Sequence, residues 1–292
     1  MYKILNKREL APNVFSMEIQ APRVAKSCLP GQFVIVKVDE KAERIPLAIS
    51  DYDAKNGTVT IVLQILGEST QKIVNCNVGQ AFSDFAGPLG QPSMLVCENL
   101  EELKKKNILF VGGGPGAAAI YPQVKWLHEH EVNVDVIIGS RLKECLVLEE
   151  ELKDISANLY IATDDGDYGY KGSSTDLLIE LIEKERKKYD HVVAIGSMTM
   201  MRSTSEITRK IGVKTIVSLK SIMVDGVGMC GGCRVTVGGE TKFACLDGPE
   251  FDGHLVDFEE AIRRQTMYKT EEGKNFMEQQ EKEEGHLCHV GL

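Results

Sequence analysis

The sequence has no apolar run long enough to cross a membrane and no concentration of positive charge. Its 292 residues carry a formal net charge of −9, with 34 Lys and Arg against 43 Asp and Glu. Nucleic-acid binding depends on clustered Lys and Arg that neutralise phosphates. The first residues also lack the apolar core and small-residue cleavage site of a secretory signal. We therefore expect a cytoplasmic protein that binds neither nucleic acid nor a membrane.

A disulfide framework is also absent from the pattern of cysteines. Five of the eight cysteines stand singly along the chain, which is typical of reduced thiols. These five are Cys28, Cys76, Cys97, Cys145 and Cys288. The chemistry suggested by cysteine is therefore confined to the other three.

Those three cysteines form a short pattern with one aspartate. Asp225 is followed after four residues by Cys230, after two more by Cys233, and after eleven more by Cys245. This is the plant-type ferredoxin spacing C-x4-C-x2-C…C with a carboxylate in place of the first thiolate. The spacing predicts a [2Fe–2S] cluster. A structural zinc site is the alternative, because paired cysteines and an aspartate also suit Zn²⁺.

Glycines are concentrated in the same segment. Because glycine accepts positive φ, we expect them to let backbone N–H groups approach a small anionic group such as a sulfide. They are Gly226, Gly228, Gly231, Gly232, Gly238 and Gly239.

Residues 1–100 read as an all-β domain. Apolar, β-branched runs bounded by turn residues predict strands at 14–20, 32–38 and 58–66. The segment 44–50 is expected to lie between strands, and 67–70 to begin a helix. A small barrel accommodates this pattern.

Residues 101–221 alternate between apolar strands and helical segments. The predicted strands are 107–111, 132–139, 158–163, 191–196 and 214–219. Such alternation is typical of a doubly wound parallel α/β sheet. We expect a small cluster-binding lobe at 222–255 and a charged helical tail at 256–292. In that tail His286, Cys288 and His289 offer metal-binding atoms, with a mobile tail as the alternative.

A glycine motif follows the first strand of this α/β part. Gly112, Gly114 and Ala117 stand as G-x-G-x-x-A between a strand and a helix, the context of a turn that binds a pyrophosphate. A tight turn that only packs strand against helix is the alternative. The acidic residue expected about twenty residues later is missing, and Arg141 follows the second strand instead. The pattern therefore predicts a dinucleotide without distinguishing NAD from NADP.

A second candidate site lies in the β domain. An arginine together with hydroxyl groups at a helix start suits the pyrophosphate of a flavin, and these are Arg44, Ser69 and Thr70. Residues 46–48 suit the face of the isoalloxazine ring. The alternatives are a surface arginine and an ordinary helix cap.

The order of these motifs resembles a known family, the ferredoxin-reductase-like electron-transfer subunits. The motifs are PGQF (30–33), RIPLAI (44–49), GEST (67–70), GGGPG (112–116), ATDDGDYGYKG (162–172), GSMTMM (196–201), the Asp–Cys pattern and ACLDGPEF (244–251). The family includes the small subunit of NADH-dependent reduced ferredoxin:NADP⁺ oxidoreductase, a sulfide dehydrogenase subunit and the electron-transfer subunit of dihydroorotate dehydrogenase. The dihydroorotate branch normally has four cysteines in this pattern. With Asp225 in the first position, the pattern of this sequence resembles that of the ferredoxin:NADP⁺ branch, in which a carboxylate ligand occurs.

The resemblance implies three bound groups and the residues that hold them. FAD is implied at Arg44, Pro46, Leu47, Ala48, Leu63, Gln64, Ser69 and Thr70. NAD(H) is implied at Gly112, Gly114, Pro115, Gly116, Asp164, Asp165, Gly196 and Met198. The [2Fe–2S] cluster is implied at Asp225, Cys230, Cys233 and Cys245.

The resemblance also implies a function. Hydride passes between nicotinamide and flavin, and single electrons pass through the cluster, so that no catalytic side chain is required. A heterodimer is implied, with a larger subunit that carries a flavin, [4Fe–4S] clusters and NADP(H), and that couples to ferredoxin by electron bifurcation. The alternatives are a subunit of dihydroorotate dehydrogenase or sulfide dehydrogenase, and a zinc-stabilised nucleotide-sensing module without redox chemistry.

Overall fold

The computed structural model describes residues 2–267, and the first part of the chain is an antiparallel barrel. Its seven-stranded sheet runs in the order β6-β1-β2-β5-β4-β3-β7. The strands are β1 (Tyr2–Ala11), β2 (Val14–Gln20), β3 (Phe33–Lys37), β4 (Ile45–Asp53), β5 (Thr58–Gln64), β6 (Ala81–Phe82) and β7 (Asp84–Leu89). Because only Ser83 separates β6 from β7, the stretch 81–89 pairs with β1 at one end and with β3 at the other. The sheet therefore comes almost full circle, and the predicted barrel is confirmed.

The barrel core comes from residues that alternate along the strands. Side chains two apart point to the same face of a strand, so one apolar face per strand turns inward. The core includes Met17, Ile19, Val34, Val36, Ile49, Val59, Ile61, Phe82 and Phe85. Two helices lie outside this sheet, α1 (Pro22–Ser27) and α2 (Glu68–Asn75).

The segment 44–50 differs from the expectation. It belongs to β4 rather than to a connection between strands, so that prediction is wrong. Pro46 masks the strand in the sequence, since proline argues against a paired interior strand. In the register, Pro46 pairs with Ile35 of β3, while β4 pairs with β5 only from Ile49 onward. Its missing N–H therefore breaks no ladder on the β5 side.

The second part is the predicted parallel α/β sheet. It contains α3 (Leu100–Leu103), β8 (Ile108–Gly113), α4 (Gly116–Glu129), β9 (Val134–Ser140), α5 (Glu149–Ile155), β10 (Asn158–Thr163), β11 (Tyr170–Lys171), α6 (Ser174–Glu183), β12 (His191–Ile195), α7 (Met198–Lys210) and β13 (Lys214–Ser218). Strands β11, β10, β9, β8, β12 and β13 lie side by side and parallel. The chain order reverses between β8 and β12, which makes the crevice between them the switch point where ligands bind in such sheets.

A small lobe follows the sheet and returns to it. It consists of β14 (Arg234–Val237), β15 (Glu240–Phe243), β16 (Glu250–Asp252) and α8 (Phe258–Gln265). Gly238 and Gly239, at φ values of 60° and 81°, form the two-residue turn of the β14–β15 hairpin. They therefore serve a hairpin and not the cysteine loop, which corrects that expectation. Strand β16 adds antiparallel to β13, at the edge of the sheet.

One buried carboxyl group lies where the three parts meet. Glu250 is 3% exposed and accepts hydrogen bonds from Gln123 Nε2 at 2.7 Å and from the backbone N–H of Met94 at 3.0 Å. Ser93 Oγ donates to Gln123 Oε1 at 3.0 Å. Burial raises the pKa of Glu250 above the ordinary glutamate value. This network joins the segment after the barrel, helix α4 and the small lobe.

Two further sequence expectations concern the tail and the membrane. Within residues 2–267, no helix is both long and apolar enough to span a bilayer. Helix α8 forms the start of the expected helical tail. The rest of that tail, with His286, Cys288 and His289, lies outside the described residues.

Candidate functional site

The glycine turn lies at the switch point of the parallel sheet. It connects β8 to α4, and Gly114 has a φ of 53° while its N–H donates to the carbonyl of Gly139 at 2.8 Å. A Cβ on Gly116 would lie 2.1 Å from the carbonyl oxygen of Ile195. A side chain at Gly116 is therefore sterically excluded. The backbone of the turn is therefore in direct contact with the backbone at the end of β12.

The end of β12 completes this crevice. Gly196 lies beside Gly113, and a Cβ on Gly196 would lie 3.3 Å from the Gly113 nitrogen. Ser197 Oγ caps α7 by accepting from the Met200 N–H at 3.2 Å. Met198 is buried in the core of the sheet rather than open to the crevice. The structure thus brings Gly196 to the predicted turn and directs Met198 inward.

Two acidic residues mark the same edge of the sheet farther out. Asp164 and Asp165 are exposed at the carboxyl end of β10, beyond β9. The Asp164 N–H donates to the carbonyl of Ser140 at 3.2 Å, and Asp165 accepts from the Asp167 N–H at 3.2 Å. Arg141, which directly follows the neighbouring strand β9, is exposed. Polar groups therefore line the edge on which the glycine turn opens.

The first part of β4 does not pair with β5, and we call the stretch between these two strand segments the slot. The two strands pair from Ile49 and Ile61 onward, but Ile45–Ala48 pair only with β3. Ala48 is exposed, and Pro46 and Leu47 are half-buried, whereas Leu63 on the other side belongs to the barrel core. An unpaired backbone edge beside half-buried side chains fits a flat polar ring. The slot is the part of the barrel that suits the isoalloxazine.

The predicted flavin arginine connects two parts of the molecule. Arg44 Nε donates to the carbonyl of Val224 at 3.0 Å, and Nη1 contacts Asp84 Oδ2 at 3.1 Å. Val224 directly precedes the candidate ligand Asp225. The structure therefore places Arg44 between the barrel and the cysteine loop, rather than at the start of α2.

Of the two hydroxyl groups at the start of α2, only that of Thr70 caps the helix. Thr70 Oγ1 accepts from the N–H groups of Leu66 at 2.9 Å and Gly67 at 3.1 Å, and Ser69 Oγ donates to Glu43. The helix start predicted at 67–70 is confirmed, and the capping alternative is realised. A contact of these hydroxyls with a flavin stays a prediction.

Two of the three loop cysteines are buried together. Cys233 and Cys245 are 1% and 2% exposed, and their Sγ atoms lie 3.2 Å apart. The Cys245 N–H also points to Cys233 Sγ at 3.4 Å. Burial, followed by the hydrogen bond from Cys233, raises the pKa of Cys245 to about 12. Two buried thiols in contact, at the sequence spacing of cluster ligands, suit a metal or cluster, which would bind them as thiolates.

The other two candidate ligands face their own loop. Asp225 Oδ2 accepts from the Cys230 N–H at 2.6 Å, and Oδ1 accepts from the Val227 N–H at 3.1 Å. Burial opposes ionisation of Asp225, but these backbone donors prevail and lower its pKa. Cys230 is exposed, and its Sγ accepts from the Gly232 N–H at 3.4 Å. Within the described chain, no three His, Cys, Asp or Glu side chains are assembled as a metal site.

Some of the loop glycines adopt the positive φ values that we expected from the sequence. Gly226, Gly228 and Gly231 have positive φ values of 76°, 83° and 67°, whereas Gly232 does not appear in this region. The loop can therefore fold around a small group, with four soft or anionic donors of the kind that suits iron. Donor chemistry alone also suits zinc.

The loop surface is apolar around the exposed cysteine. Met229 is 86% exposed, and Val224, Val227 and Leu246 are each about half exposed. Exposed apolar patches of this kind mark contact surfaces with other proteins. The spacing of the cysteines points to the loop. The sequence gives no sign, however, that Leu246 lies beside the segment that carries the apolar side chains of Val224, Val227 and Met229.

Sequence reasoning missed the residues that hold the loop to its surroundings. Gln91 donates from its backbone to Gly248 at 2.7 Å and from its side chain to Leu246 at 2.9 Å. Arg264 of α8 donates to the carbonyl of Gly232 at 3.1 Å. Neither residue stands in a recognisable motif. Glu250 is missed as well, because it stands in a polar stretch between Asp247 and Asp252 that does not mark it as buried.

Comparison with known proteins extends this picture over nearly the whole chain. A family model described as the iron-sulfur cluster binding domain of dihydroorotate dehydrogenase B matches residues 220–257. An uncharacterized Clostridium beijerinckii protein, from the region 3′ of adh, is 60% identical over 96% of this chain and 95% of its own length. A Thermotoga maritima homolog of the electron transfer subunit of dihydroorotate dehydrogenase B (NAD(+)) is 41% identical over 92% of both chains.

A solved structure is similar over the same extent. It is a chain from the NADH-dependent reduced ferredoxin-NADP oxidoreductase structure that gave insights into flavin-based electron bifurcation. It superposes with a TM-score of 0.87 at 40% identity, and covers 96% of this chain and 97% of its own. The likeness therefore includes the barrel, the parallel sheet and the cysteine loop together.

Proposed function

The chain belongs to the ferredoxin-reductase-like family of dihydroorotate dehydrogenase B electron-transfer subunits and their homologues, and we propose that it is the small subunit of an NADH-dependent ferredoxin:NADP⁺ oxidoreductase. The full-length likeness to the solved oxidoreductase chain carries this proposal. The divisions at 1–100 for FAD, 101–221 for NAD(H), 222–255 for the cluster and 256–292 for the tail are part of it.

We assign NAD(H) to the crevice at the switch point. The positive φ of Gly114 and the close approach of Gly116 to Ile195 support a backbone turn that receives a pyrophosphate. The residues proposed to contact the nucleotide are Gly112, Gly114, Pro115, Gly116, Asp164, Asp165, Gly196 and Met198. For Met198 the contact is made by its backbone, since its side chain is buried.

We assign FAD to the slot between β4 and β5. The unpaired edge at Pro46–Ala48 supports this assignment, because it leaves backbone groups free for a polar ring. The residues proposed to hold FAD are Arg44, Pro46, Leu47, Ala48, Leu63, Gln64, Ser69 and Thr70. Leu63 acts through its position behind the slot.

We assign a [2Fe–2S] cluster to Asp225, Cys230, Cys233 and Cys245. The buried pair Cys233–Cys245 and the loop glycines support it, as does the match to an iron-sulfur binding domain. When bound, flavin and cluster together convert a transferred hydride into single-electron steps. The chain's own residues bind and orient these groups, and Arg44 holds the barrel against the loop.

We further propose that a larger subunit docks on the cysteine loop. The apolar surface of Val224, Val227, Met229 and Leu246 surrounds Cys230, where single electrons would leave the chain. The partner is proposed to carry a second flavin, [4Fe–4S] clusters and NADP(H), and the complex to bifurcate electrons to ferredoxin.

Anaerobic purification of the chain with its native partner tests the function. We expect flavin and iron–sulfur absorption bands, two irons per small subunit, and NADPH formation from NADP⁺ that requires both NADH and reduced ferredoxin. A colourless chain containing stoichiometric zinc would refute a redox role and favour the nucleotide-sensing module.

The dihydroorotate dehydrogenase subunit is the second candidate, since the matching domain model and the Thermotoga relative carry that name. Its partner would oxidise dihydroorotate. Dihydroorotate-dependent NAD⁺ reduction by the purified complex, without a response to ferredoxin, would select this candidate. Asp225, in place of a fourth cysteine, favours the first.

A further inference from the structure

An arginine outside the candidate ligand set lies directly against the cysteine loop. Arg264 Nη2 is 3.1 Å from the carbonyl oxygen of Gly232 and 3.5 Å from that of Gly231. Both carbonyls lie between Cys230 and Cys233 in sequence. The Nε of Arg264 is buried and has no partner among the described residues. A guanidinium is thus fixed behind the Cys-x2-Cys unit with part of its donor capacity unused.

Helix α8 is held in place by both flanks of the loop. Glu260 accepts from the N–H of Thr236, which follows Cys233, at 3.0 Å. Gln265 donates to the carbonyl of Lys220, which precedes Asp225. Phe258 and Ala261 are buried in the core. The helix is therefore anchored independently of Arg264, and its position brings the guanidinium to the loop.

The peptide between Gly231 and Gly232 connects the guanidinium to a sulfur. Its carbonyl faces Arg264, and its N–H donates to Cys230 Sγ at 3.4 Å. A donor on the carbonyl polarises the peptide and strengthens the hydrogen bond on its N–H side. Hydrogen bonds to ligand sulfurs and nearby charge are two of the factors that set an iron–sulfur potential.

We propose that Arg264 is a positioning residue that raises the reduction potential of the group bound at Cys230 and Cys233. The inference rests on the proposed function, because it requires an iron–sulfur group in the loop. Reduction adds negative charge to that group. A guanidinium is always protonated, so it stabilises the reduced form through its charge and through the Gly231–Gly232 peptide.

The experiment is a redox titration of the full chain, followed by visible and electron-spin spectra. We expect Arg264→Gln to lower the potential enough to change the oxidised-to-reduced ratio at a fixed applied potential about ten-fold, which is 59 mV for one electron. Arg263→Gln is the matched control. It removes the same charge one residue away from an exposed position, and we expect less than a two-fold change.

A second pair of variants covers the case in which Arg264→Gln loses its iron. Arg264→Lys keeps the charge but loses the planar guanidinium whose Nη2 contacts both carbonyls, so we expect a smaller shift in the same direction, with none in Arg263→Lys. Iron-loaded Arg264 variants with the wild-type potential would overturn the inference alone. A wild-type chain without any iron–sulfur group would overturn the proposed function as well.

Discussion

The glycine turn at the switch point and the cysteine loop both depend on glycine, but they differ in which atoms fix their geometry. In the turn, backbone packing alone fixes the geometry, since Gly116 has no room for a side chain beside Ile195. In the loop, Cys233 and Cys245 meet, whereas Asp225 and Cys230 bond to their own backbone. Packing positions the backbone of the turn completely, whereas in the loop it brings together only the buried pair of cysteines.

The largest effect that separates the two regions should come from the loop cysteines. Cys245→Ser replaces a soft ligand by a harder one, and we expect iron content to fall to background with the fold retained. Cys97→Ser is the control, because Cys97 is exposed and lies apart from the loop motif. Iron and acid-labile sulfide analysis of anaerobic preparations measures this. Full iron content in Cys245→Ser would remove Cys245 from the ligands.

The turn should respond to a single methyl group. In Gly116→Ala the new Cβ meets the Ile195 carbonyl, and we expect the free energy of unfolding to fall by about 3 kcal/mol, with weaker NADH binding. Gly114→Ala is the matched variant. Its Cβ meets no atom, and only the positive φ costs about 1–2 kcal/mol. Equal losses in denaturant titrations would contradict a turn fixed by packing.

Asp225 sharpens the comparison because backbone N–H groups of its own loop, rather than packing against other elements, hold its side chain. We expect Asp225→Ala to hold iron that is lost on dilution or exposure to air, and Asp225→Cys to hold it with a changed potential and electron-spin signature. Iron retention over time and a redox titration measure both effects. An alanine variant that matches the wild type in both would limit Asp225 to its hydrogen bonds with Val227 and Cys230.

The smallest effect is expected from Glu250→Gln, which removes one titratable group at the junction of the barrel, helix α4 and the small lobe. The raised pKa of Glu250 means that the neutral acid is favoured in the fold, so its contribution to stability is complete below the unfolded-state pKa near 4.5 and declines as pH rises through the folded-state pKa. Glu250→Gln cannot ionise, and we expect a flatter dependence of unfolding free energy on pH. Flipping the Gln123 amide preserves the hydrogen bonds of this variant.

A matched variant isolates those hydrogen bonds. Glu250→Val leaves the Met94 N–H and the Nε2 group of Gln123 without their acceptor, and we expect a loss of about 1–3 kcal/mol for each unsatisfied group. Chemical denaturation at several pH values gives the free energy of unfolding of the wild type, Glu250→Gln and Glu250→Val for comparison. Identical pH slopes for the wild type and Glu250→Gln would show that Glu250 does not titrate in that range.

Much of the fold could be predicted from the chain. Runs such as 108–111 and 192–195 are continuously apolar because both faces of a parallel sheet are buried, and this property shows in a linear pattern. Strand β4 could not be recognised, since Pro46 is tolerated only because its neighbour strand diverges there. Likewise, Gly238 and Gly239 could be told from the loop glycines only after β14 and β15 had paired.

The candidate site divides along the same line. The spacing of Asp225, Cys230, Cys233 and Cys245 and the glycines after β8 are local, so the sequence alone determined which chemistry to expect and where. Tertiary structure decided which other residues lie beside these motifs. It turned Met198 inward, set Arg44 against Val224, and brought Arg264 and Glu250 from distant segments to the loop and the junction. These contacts follow from the packing of separate elements, because the spacing of residues along the chain does not determine which elements come into contact in the fold.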